Sequence, residues 1–310
     1  MIVSIGNLNL DVYFMVDDVP SRGASVKAKK FYMTGGGAAS NFAVAVARLG
    51  IASRIVACIG DDFLGNMLLD ELKKEGVNVD FVKRVRERTG IVVILVDREG
   101  ERTMITFRGA NALLEPKMID LKALQNASLL HIASVEGSKA SAIIDHVKKL
   151  GYSTLVSYDP GGIAIKKPVD VVEAALKADI ILLNEREFEA IEEYGFKSTG
   201  DKIVVIKRGD EGAEAIHRSR KIFVRAFKVK VVDTTGAGDS FNAGFLVSYL
   251  KGLTLREALI VGNACGALKV TRAGARGSPK FKELFSFLNE RGLSETASKL
   301  DKPIALNLKR

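Results

Sequence analysis

Asp233-Thr234-Thr235-Gly236-Ala237-Gly238-Asp239-Ser240-Phe241 is the stretch whose reading decides the fold. Residues 227–232 ahead of it alternate apolar and basic side chains and predict a strand, while 241–251 behind it repeat apolar residues at helical spacing. A short glycine turn therefore joins a strand to the start of a helix. The first-turn N–H groups of a helix lack internal partners and carry the positive end of its dipole, so they suit an anion. Gly236 and Gly238 let the backbone approach such a ligand without a Cβ in the way. Asp239 would then be a carboxylate beside a phosphate site, a pairing explained by a base that takes a proton from an attacking hydroxyl. The plain alternative is a capped helix after a tight turn, with Asp as N-cap and glycines for backbone geometry.

The totals narrow the field. A chain of 310 residues, 47% hydrophobic and 27% charged, suits one large α/β domain or two unequal ones with ample core. The net charge of +9 permits a polyanionic ligand, but the basic residues are spread from Arg22 to Arg310, and the densest run, 83–88, contains Glu87. A nucleic-acid binder would show a basic stripe interleaved with aromatics, so no nucleic-acid partner is expected; a nucleotide's phosphate tail needs only a local field. The apolar runs are short and broken by Arg48, Arg54 or Asp97, and the opening strand has no basic leader, so the reading expects a cytoplasmic protein with no membrane partner. Cys58 and Cys265 lie in apolar segments and read as core, and the three histidines have no neighbours at zinc-ligand spacing. Disorder is expected only in the last dozen residues.

Taken in order, 2–6 is the first strand, and 11–16 and 25–33 are extended pieces around a Pro20-Ser21-Arg22-Gly23 turn. Residues 34–37 open a helix over 38–49 that is apolar on nearly every face and hence buried. A strand at 54–59 and a helix at 63–74 follow. Residues 79–85, 91–96 and 103–107 read as strands, the last two joined by Asp97-Arg98-Glu99-Gly100. Beyond them, strands at 128–132, 154–157, 179–183 and 203–207 alternate with helices at 139–150, 169–177 and 185–193, which predicts a parallel sheet flanked by helices. A hairpin of 213–217 with 221–225 precedes the opening stretch, and helices over 241–251, 254–269 and 281–290 close the chain. The expectation is a single domain, 1–310, with a core of 1–10, 34–78 and 108–310. The insertions 11–33 and 79–107 would form a small β-sheet lid. Because 91–96 is apolar on both faces, that sheet must cover a bound ligand or the same sheet of a partner subunit.

Three further constellations carry polar groups. Gly35-Gly36-Gly37-Ala38-Ala39-Ser40-Asn41 is a second glycine turn at a helix start, either a plain junction or a place where backbone and Asn41 meet a hydroxyl-rich ligand. Gly6-Asn7-Leu8-Asn9-Leu10-Asp11 puts carboxylate and amide at the carboxyl edge of the sheet, where they suit a diol if they are not simply a turn. Asn184-Glu185-Arg186-Glu187 follows an apolar strand and is either a capped helix start or a pair, Asn184 and Glu187, holding Mg²⁺ through water. Lys207-Arg208-Gly209-Asp210-Glu211-Gly212 is a turn that could edge a nucleotide.

Together these segments resemble the ribokinase-like (PfkB) family of sugar and nucleoside kinases. Gly36, Gly37 and Asn41 match its Gly-Gly-x-x-x-Asn motif; Gly60-Asp61-Asp62 and Gly65 match Gly-Asp-Asp-x-x-Gly; Asn184 and Glu187 match Asn-x-x-Glu; and 233–239 matches its closing signature. The resemblance implies a mostly parallel central sheet flanked by helices, with a β lid that pairs into a homodimer. It makes Asp239 the catalytic base and the N–H groups of Gly236, Ala237, Gly238 and Asp239 an anion hole. Asn9, Asp11, Gly36, Gly37 and Asn41 would contact the sugar. Asn184 and Glu187 would organise Mg²⁺, and Asn184, Lys207, Gly209, Gly212 and Asn263 would border the nucleotide. Many members also bind a monovalent cation such as K⁺, and Asp233, Thr235 and the 270–278 loop are the matching region here. Asn9 and Asp11 look like ribokinase itself. However, Ala133 stands where ribokinase has an acidic sugar ligand, with Glu136 displaced, and His131-Ile132-Ala133 and Tyr158-Asp159-Pro160-Gly161 look more like archaeal nucleoside kinases.

The function so implied is transfer of the γ-phosphate of ATP to the hydroxymethyl group of a nucleoside or a ribose-like sugar. Alternatives within the family are a ribokinase, a fructokinase, a ribose-1-phosphate kinase, or a kinase with ADP as donor. Outside catalysis, a relative that only senses a sugar or nucleoside is the rival. A dinucleotide oxidoreductase is disfavoured because Gly6-Asn7-Leu8-Asn9 lacks Gly-x-Gly-x-x-Gly.

Overall fold

Ile180-Ile181-Leu182-Leu183 shows why the centre of this chain is a sheet covered on both faces: successive strand side chains point to opposite sides, and here both sets are apolar. Ile180 and Leu182 join one buried cluster, Ile181 and Leu183 the other. The computed structural model describes residues 1–149, 154–198 and 200–304.

The first half runs β1 (Ile2–Gly6), β2 (Asn9–Met15), β3 (Lys30–Gly36), α1 (Ala38–Arg48), β4 (Ser53–Val56), β5 (Cys58–Gly60), α2 (Phe63–Lys74), β6 (Val77–Asn78), β7 (Lys83–Val85), β8 (Gly90–Val96) and β9 (Arg102–Phe107). After short 3-10 turns come β10 (Leu129–Ala133), α3 (Gly137–Lys149), β11 (Leu155–Asp159), α4 (Ile163–Lys166), α5 (Pro168–Lys177), β12 (Ile180–Asn184), α6 (Glu185–Glu193), β13 (Ile203–Lys207), β14 (Gly212–His217) and β15 (Arg220–Arg225). Four helices end the described chain: α7 (Ala237–Leu250), α8 (Leu255–Val270), α9 (Phe281–Glu290) and α10 (Ser294–Leu300).

Among the described residues the main sheet holds nine strands in the order β15-β14-β13-β12-β11-β10-β1-β4-β6, parallel except at the β13-β14-β15 end. Helices α1, α7, α8, α9 and α10 cover one face, and α3, α5 and α6 the other. The chain leaves β1 toward β4 on one side, whereas β10 lies on the other, so the carboxyl ends of β1 and β10 form a switch point of the kind that opens a ligand crevice in α/β sheets. A separate four-stranded sheet, β3-β2-β8-β9, starts at Asn9, three residues past the end of β1. No helix among the described residues is long and apolar enough to cross a membrane.

Several expectations need correction. Residues 227–232 form no strand; Phe227 and Val229 pack on the core from a single extended segment, which lacks a partner strand, and Val231 and Val232 stay exposed. The helix after the glycine turn starts at Ala237, four residues before the apolar repeat, so Asp239 lies inside its first turn. Of 79–85 only Lys83–Val85 is strand, and it pairs with β5 rather than with the small sheet. The helix α10 went unread because its seven residues are mostly polar and carry a weak apolar pattern. Of the last dozen residues, 299–300 close that helix, and the part of that expectation covering 305–310, like the expected helix end at Leu150, lies outside the described residues.

The Gly60-Asp61-Asp62 segment is a brace between the core and the small sheet. Asp62 caps α2 by accepting from Gly65 N at 2.8 Å, and the same carboxylate accepts from Thr89 N at 2.8 Å and Thr89 Oγ1 at 2.6 Å, next to the start of β8. Asp62→Ala removes a helix cap and leaves buried Thr89 without its partner. It should lower stability by about 1–2 kcal/mol in urea unfolding and speed amide exchange at Thr89.

Candidate active site

The parallel strands deliver a row of residues to one edge. Gly6 is in register with Ala133, Ala133 with Asp159, and Asn184 with Lys207, each at the carboxyl end of its strand. Two helix N-termini converge on the same edge. The first belongs to α1, with Gly37 at its N-cap and Asn41 in its first turn; the second belongs to α7, with Gly236 at its N-cap. Neither is capped by a side chain. Gly236 is required by conformation and by space: its φ is +76°, and a Cβ there would lie 2.2 Å from Ala275 O. The Ala237 N–H donates to Thr234 O at 3.2 Å, while Gly236, Gly238 and Asp239 have no N–H partner among the described residues.

Asn41 and Asp239 meet where the helices converge. Asn41 Nδ2 donates to Asp239 Oδ2 at 2.9 Å, leaving Oδ1 of the carboxylate open. Burial pushes the Asp239 carboxyl up to about 7, against the Asn41 hydrogen bond and with help from the negative charge of Asp159. Asn41 is 7% exposed, and its Oδ1 is buried without a hydrogen-bond partner among the described residues. A buried acceptor left unpaired is costly, and here it lies beside the Asp239 carboxylate.

Next to this pair, Asn9 Nδ2 donates to Asp11 Oδ1 at 3.3 Å, and Asn111 Nδ2 donates to Asn9 Oδ1 at 3.2 Å. Burial raises Asp11 to about 6, opposed by Asn9 and by Arg276. Asn9 pairs with Gly36 across β2 and β3, so these residues are presented by the small sheet. Ala133 ends β10, and Glu136 is turned to Arg108 and Lys167, at 3.6 and 3.5 Å. His131 packs against Phe42 with the rings tilted and 4.0 Å between centroids, and its Nδ1 is 2.9 Å from Ser157 Oγ; burial holds its pKa down to about 3, so it stays neutral.

Lys207 lies on the other side of the α7 N-terminus. Its Nζ donates to Asp159 Oδ2 at 2.7 Å and Asn242 Oδ1 at 3.3 Å, and a Cβ on Gly238 would be 3.6 Å from it. Asn242 Nδ2 donates to the same Asp159 oxygen at 2.6 Å. Burial alone would keep Asp159 protonated; the Lys207 charge outweighs it and holds the carboxyl below its ordinary value. The lysine is in turn kept charged by Asp159 and Glu187 against its own burial. A phosphate arriving at the helix N-terminus would find this ammonium beside the first-turn N–H groups.

Asn184 and Glu187 form the capping box of α6: Glu187 N donates to Asn184 Oδ1 at 2.9 Å and Asn184 N to Glu187 Oε2 at 2.8 Å. The plain reading of this motif is therefore realised. Glu187 Oε1 makes no hydrogen bond among the described residues, and burial followed by the Asp159 charge raises its pKa. A carboxylate oxygen without a hydrogen bond is the type of group a hydrated Mg²⁺ takes, since that ion prefers oxygen ligands and keeps several waters. Gly209 lies in the open β13–β14 turn and Gly212 begins β14. Asn263 is 7% exposed, and its amide nitrogen is taken up by Val224 O at 3.0 Å and Arg225 O at 3.2 Å.

The turn before the α7 N-terminus is crowded with donors. Asp233 Oδ1 accepts from Thr235 N at 2.8 Å and Thr235 Oγ1 at 2.7 Å, and Oδ2 from Gly274 N at 2.9 Å. Arg102, on β9, donates to Thr235 Oγ1 at 2.5 Å and Thr234 Oγ1 at 2.8 Å. Lys269 Nζ donates to Asp233 O at 2.7 Å and Arg272 O at 3.3 Å. The side-chain oxygens of Asp233 and Thr235, where a monovalent cation was expected, thus already accept hydrogen bonds.

Sequence reasoning missed Asp159, Asn242, Asn111, Arg102 and Lys269. Asn242 stands three residues after Asp239 on the same helix face, and Asp159 ends a strand whose neighbours end at the site, so both left a signal. Lys269, a lone charge inside Ala267-Leu268-Lys269-Val270, left one too. Asn111 and Arg102 come from segments whose placement only the small sheet determines.

Known proteins resemble this chain in sequence and fold. Residues 1–281 match the profile of the pfkB family carbohydrate kinase. The chain is 34% identical over 296 residues to an ATP-dependent ribose-1-phosphate kinase of Halopiger xanaduensis, covering 94% of this chain and 98% of that one. The ribokinase structure from Thermotoga maritima superposes with a TM-score of 0.81 at 32% identity, covering 93% of this chain and 99% of that one. The Methanocaldococcus jannaschii nucleoside kinase structure, described as an archaeal member of the ribokinase family, gives 0.82 at 26% identity, covering 93% and 98%. With a ribokinase fold and a family match along nearly its whole length, the chain belongs to the pfkB family of carbohydrate kinases and is a phosphotransferase of that family.

Proposed function

We propose that this kinase transfers the γ-phosphate of ATP to the hydroxymethyl group of a ribofuranose carrying a substituent on C1, either ribose 1-phosphate or a nucleoside. The observation that carries the reading is the Asn41–Asp239 pair: an open carboxylate oxygen with a pKa near 7 beside a buried amide oxygen without a donor. An acceptor hydroxyl can supply what that site lacks. The names of the Halopiger and Methanocaldococcus relatives support both acceptors, and the former supports ATP.

In this reading Asn9, Asp11, Gly36, Gly37 and Asn41 hold the sugar so that its hydroxymethyl oxygen lies against Asp239 Oδ1. Asp239 takes the hydroxyl proton as that oxygen attacks in line. The N–H groups of Gly236, Gly238 and Asp239, with Ala237 once its bond to Thr234 O opens, receive the charge on the transferring phosphoryl oxygens. Lys207 stands beside them, held by Asp159 and Asn242 until the phosphates arrive. Asn184 and Glu187 would hold Mg²⁺ through water, which when bound neutralises charge on the phosphates. Gly209, Gly212 and Asn263 border the nucleotide. The small sheet closes as a lid that keeps water from the phosphoryl group. Its exposed Phe31, Met33, Met104, Ile105 and Phe107 support pairing with a second copy of this chain, and sedimentation at micromolar concentration should then report a dimer.

Asp239→Asn should leave the far-UV spectrum unchanged and lower kcat by at least about 10²-fold; retained activity removes Asp239 from the base role. In the wild-type enzyme kcat/KM should fall as pH drops below about 7, because the protonated carboxyl cannot accept the hydroxyl proton. Stability of the ligand-free protein should move the other way. A carboxyl whose folded pKa is raised is destabilised once ionised, so the stability it contributes at acid pH is lost as pH rises to about 7. Asp239→Asn should therefore melt higher than wild type at pH 8, by on the order of 1–3 kcal/mol given its partial solvent access, and equal to it at pH 4. A panel of nucleosides, ribose 1-phosphate, ribose and fructose, each with ATP and ADP, should show highest kcat/KM for a C1-substituted ribose with ATP; a preference for free ribose or fructose refutes the acceptor assignment.

A further inference from the structure

The turn that leads into the anion hole is held from beneath by one side chain. Lys269, in the last turn of α8, is 0% exposed and fills the space between Asp233 and the 271–278 loop. Its ammonium donates to the main-chain oxygens of Asp233 at 2.7 Å and Arg272 at 3.3 Å, and a Cβ on Gly277 would be 3.4 Å from Lys269 Cε. A buried ammonium whose partners are main-chain carbonyls meets the needs of a dehydrated monovalent cation: one positive charge, matched by carbonyl dipoles. The remaining oxygens of this turn are also supplied. Asp233 Oδ1 and Oδ2 accept from Thr235 and Gly274, and Arg102 lies 3.8 Å from Oδ1 while donating to both threonine hydroxyls. Two tethered cations therefore neutralise the one carboxylate of the turn.

We propose that the Lys269 ammonium is a built-in replacement for a monovalent cation, fixing the turn before the anion hole so that phosphoryl transfer by this chain requires no potassium. The inference rests on the kinase reading above. Lys269 touches no reacting atom; it acts through the Asp233 carbonyl, which sets the path of Thr234-Thr235-Gly236 and hence the aim of the first-turn N–H groups. It is a positioning residue.

The test compares the purified full chain in choline chloride and in KCl at equal ionic strength, with magnesium and potassium-free ATP. Wild-type kcat and melting temperature should be the same in both salts. Lys269→Ala opens a carbonyl-lined space. Its kcat in choline chloride should fall by about 10²-fold, the scale of losing one fixed electrostatic group, and KCl should restore part of it. KCl should also raise the melting temperature of this variant over choline chloride, because an ion that binds only the folded state stabilises it. A wild-type kcat or melting temperature that rises with KCl overturns the proposal. So does a Lys269→Ala variant that responds to KCl in neither measurement. If the alanine variant does not fold, the wild-type comparison decides alone. If the wild type transfers no phosphate to any acceptor in either salt, the kinase reading fails, and the melting comparison still decides the role of Lys269.

Discussion

Helix α7 is buried on nearly every side, and the position of its first turn is therefore a property of the core. From Ser240 to Leu250 only Tyr249 is not buried, and the helix lies between α1 and α8 on one face of the main sheet. The contact with α8 is close enough that a Cβ on Gly244 would sit 2.6 Å from Cys265 Sγ. A helix apolar all round cannot rotate or slide without exposing apolar surface, at about 25 cal/mol per Å². Asp239 and the N–H groups beside it are thus set by packing behind them. Phosphoryl transfer depends almost wholly on positioning and fixed charge, so a rigid origin for those groups matters more than their number.

The ionisable groups around that turn are sorted by the partners they are given. Asp159 and Asp239 are both recessed beside Lys207, yet one is held below its ordinary pKa and the other raised to about 7. The difference lies in contact: Asp159 receives the ammonium directly, whereas Asp239 is bonded to a neutral amide. Each pKa unit is about 1.4 kcal/mol of preference between protonation states, so exchanging those partners would leave Asp239 ionised but a poor proton acceptor. A neutral donor at position 41 orients the carboxylate while leaving its basicity to burial.

Much of this was legible in the chain because the site is built at element ends, where sequence signals are strongest. Apolar runs such as 180–183 predict strands covered on both faces, and glycine turns at 35–37 and 236–238 mark the two helix starts that meet in space. Boundaries were harder. The first turn of α7 is Ala-Gly-Asp-Ser, which carries no apolar period, so the periodicity located only its later turns. Residues 227–232 alternate as a strand does, but alternation reports one buried face and says nothing about a hydrogen-bonding neighbour. The Asn184–Glu187 spacing carried two readings at once, and the capping box makes the structural one concrete while leaving one carboxylate oxygen over. Partners distant in sequence, such as Asn111 with Asn9 or Arg102 with Thr235, have no local period and required the fold.

The small sheet is more than a cover. Asn9 and Asp11 lie on β2, Gly36 on β3 and Arg102 on β9, so the groups expected to hold the acceptor and a guanidinium bound to the turn before α7 share one set of strands. The register ties them: Asn9 is paired with Gly36 on one side and Gly90 on the other, and β8 carries β9 in turn. A strand pair cannot shift by one residue without turning every side chain to the opposite face, so the sheet moves as a unit or not at all. Any displacement of β2 that admits or releases an acceptor must carry Arg102 with it, and with it two hydroxyl contacts on Thr234 and Thr235. Asn9 and Asp11 on β2 and the Thr234–Thr235 turn ahead of α7 are therefore mechanically linked through β8, β9 and Arg102.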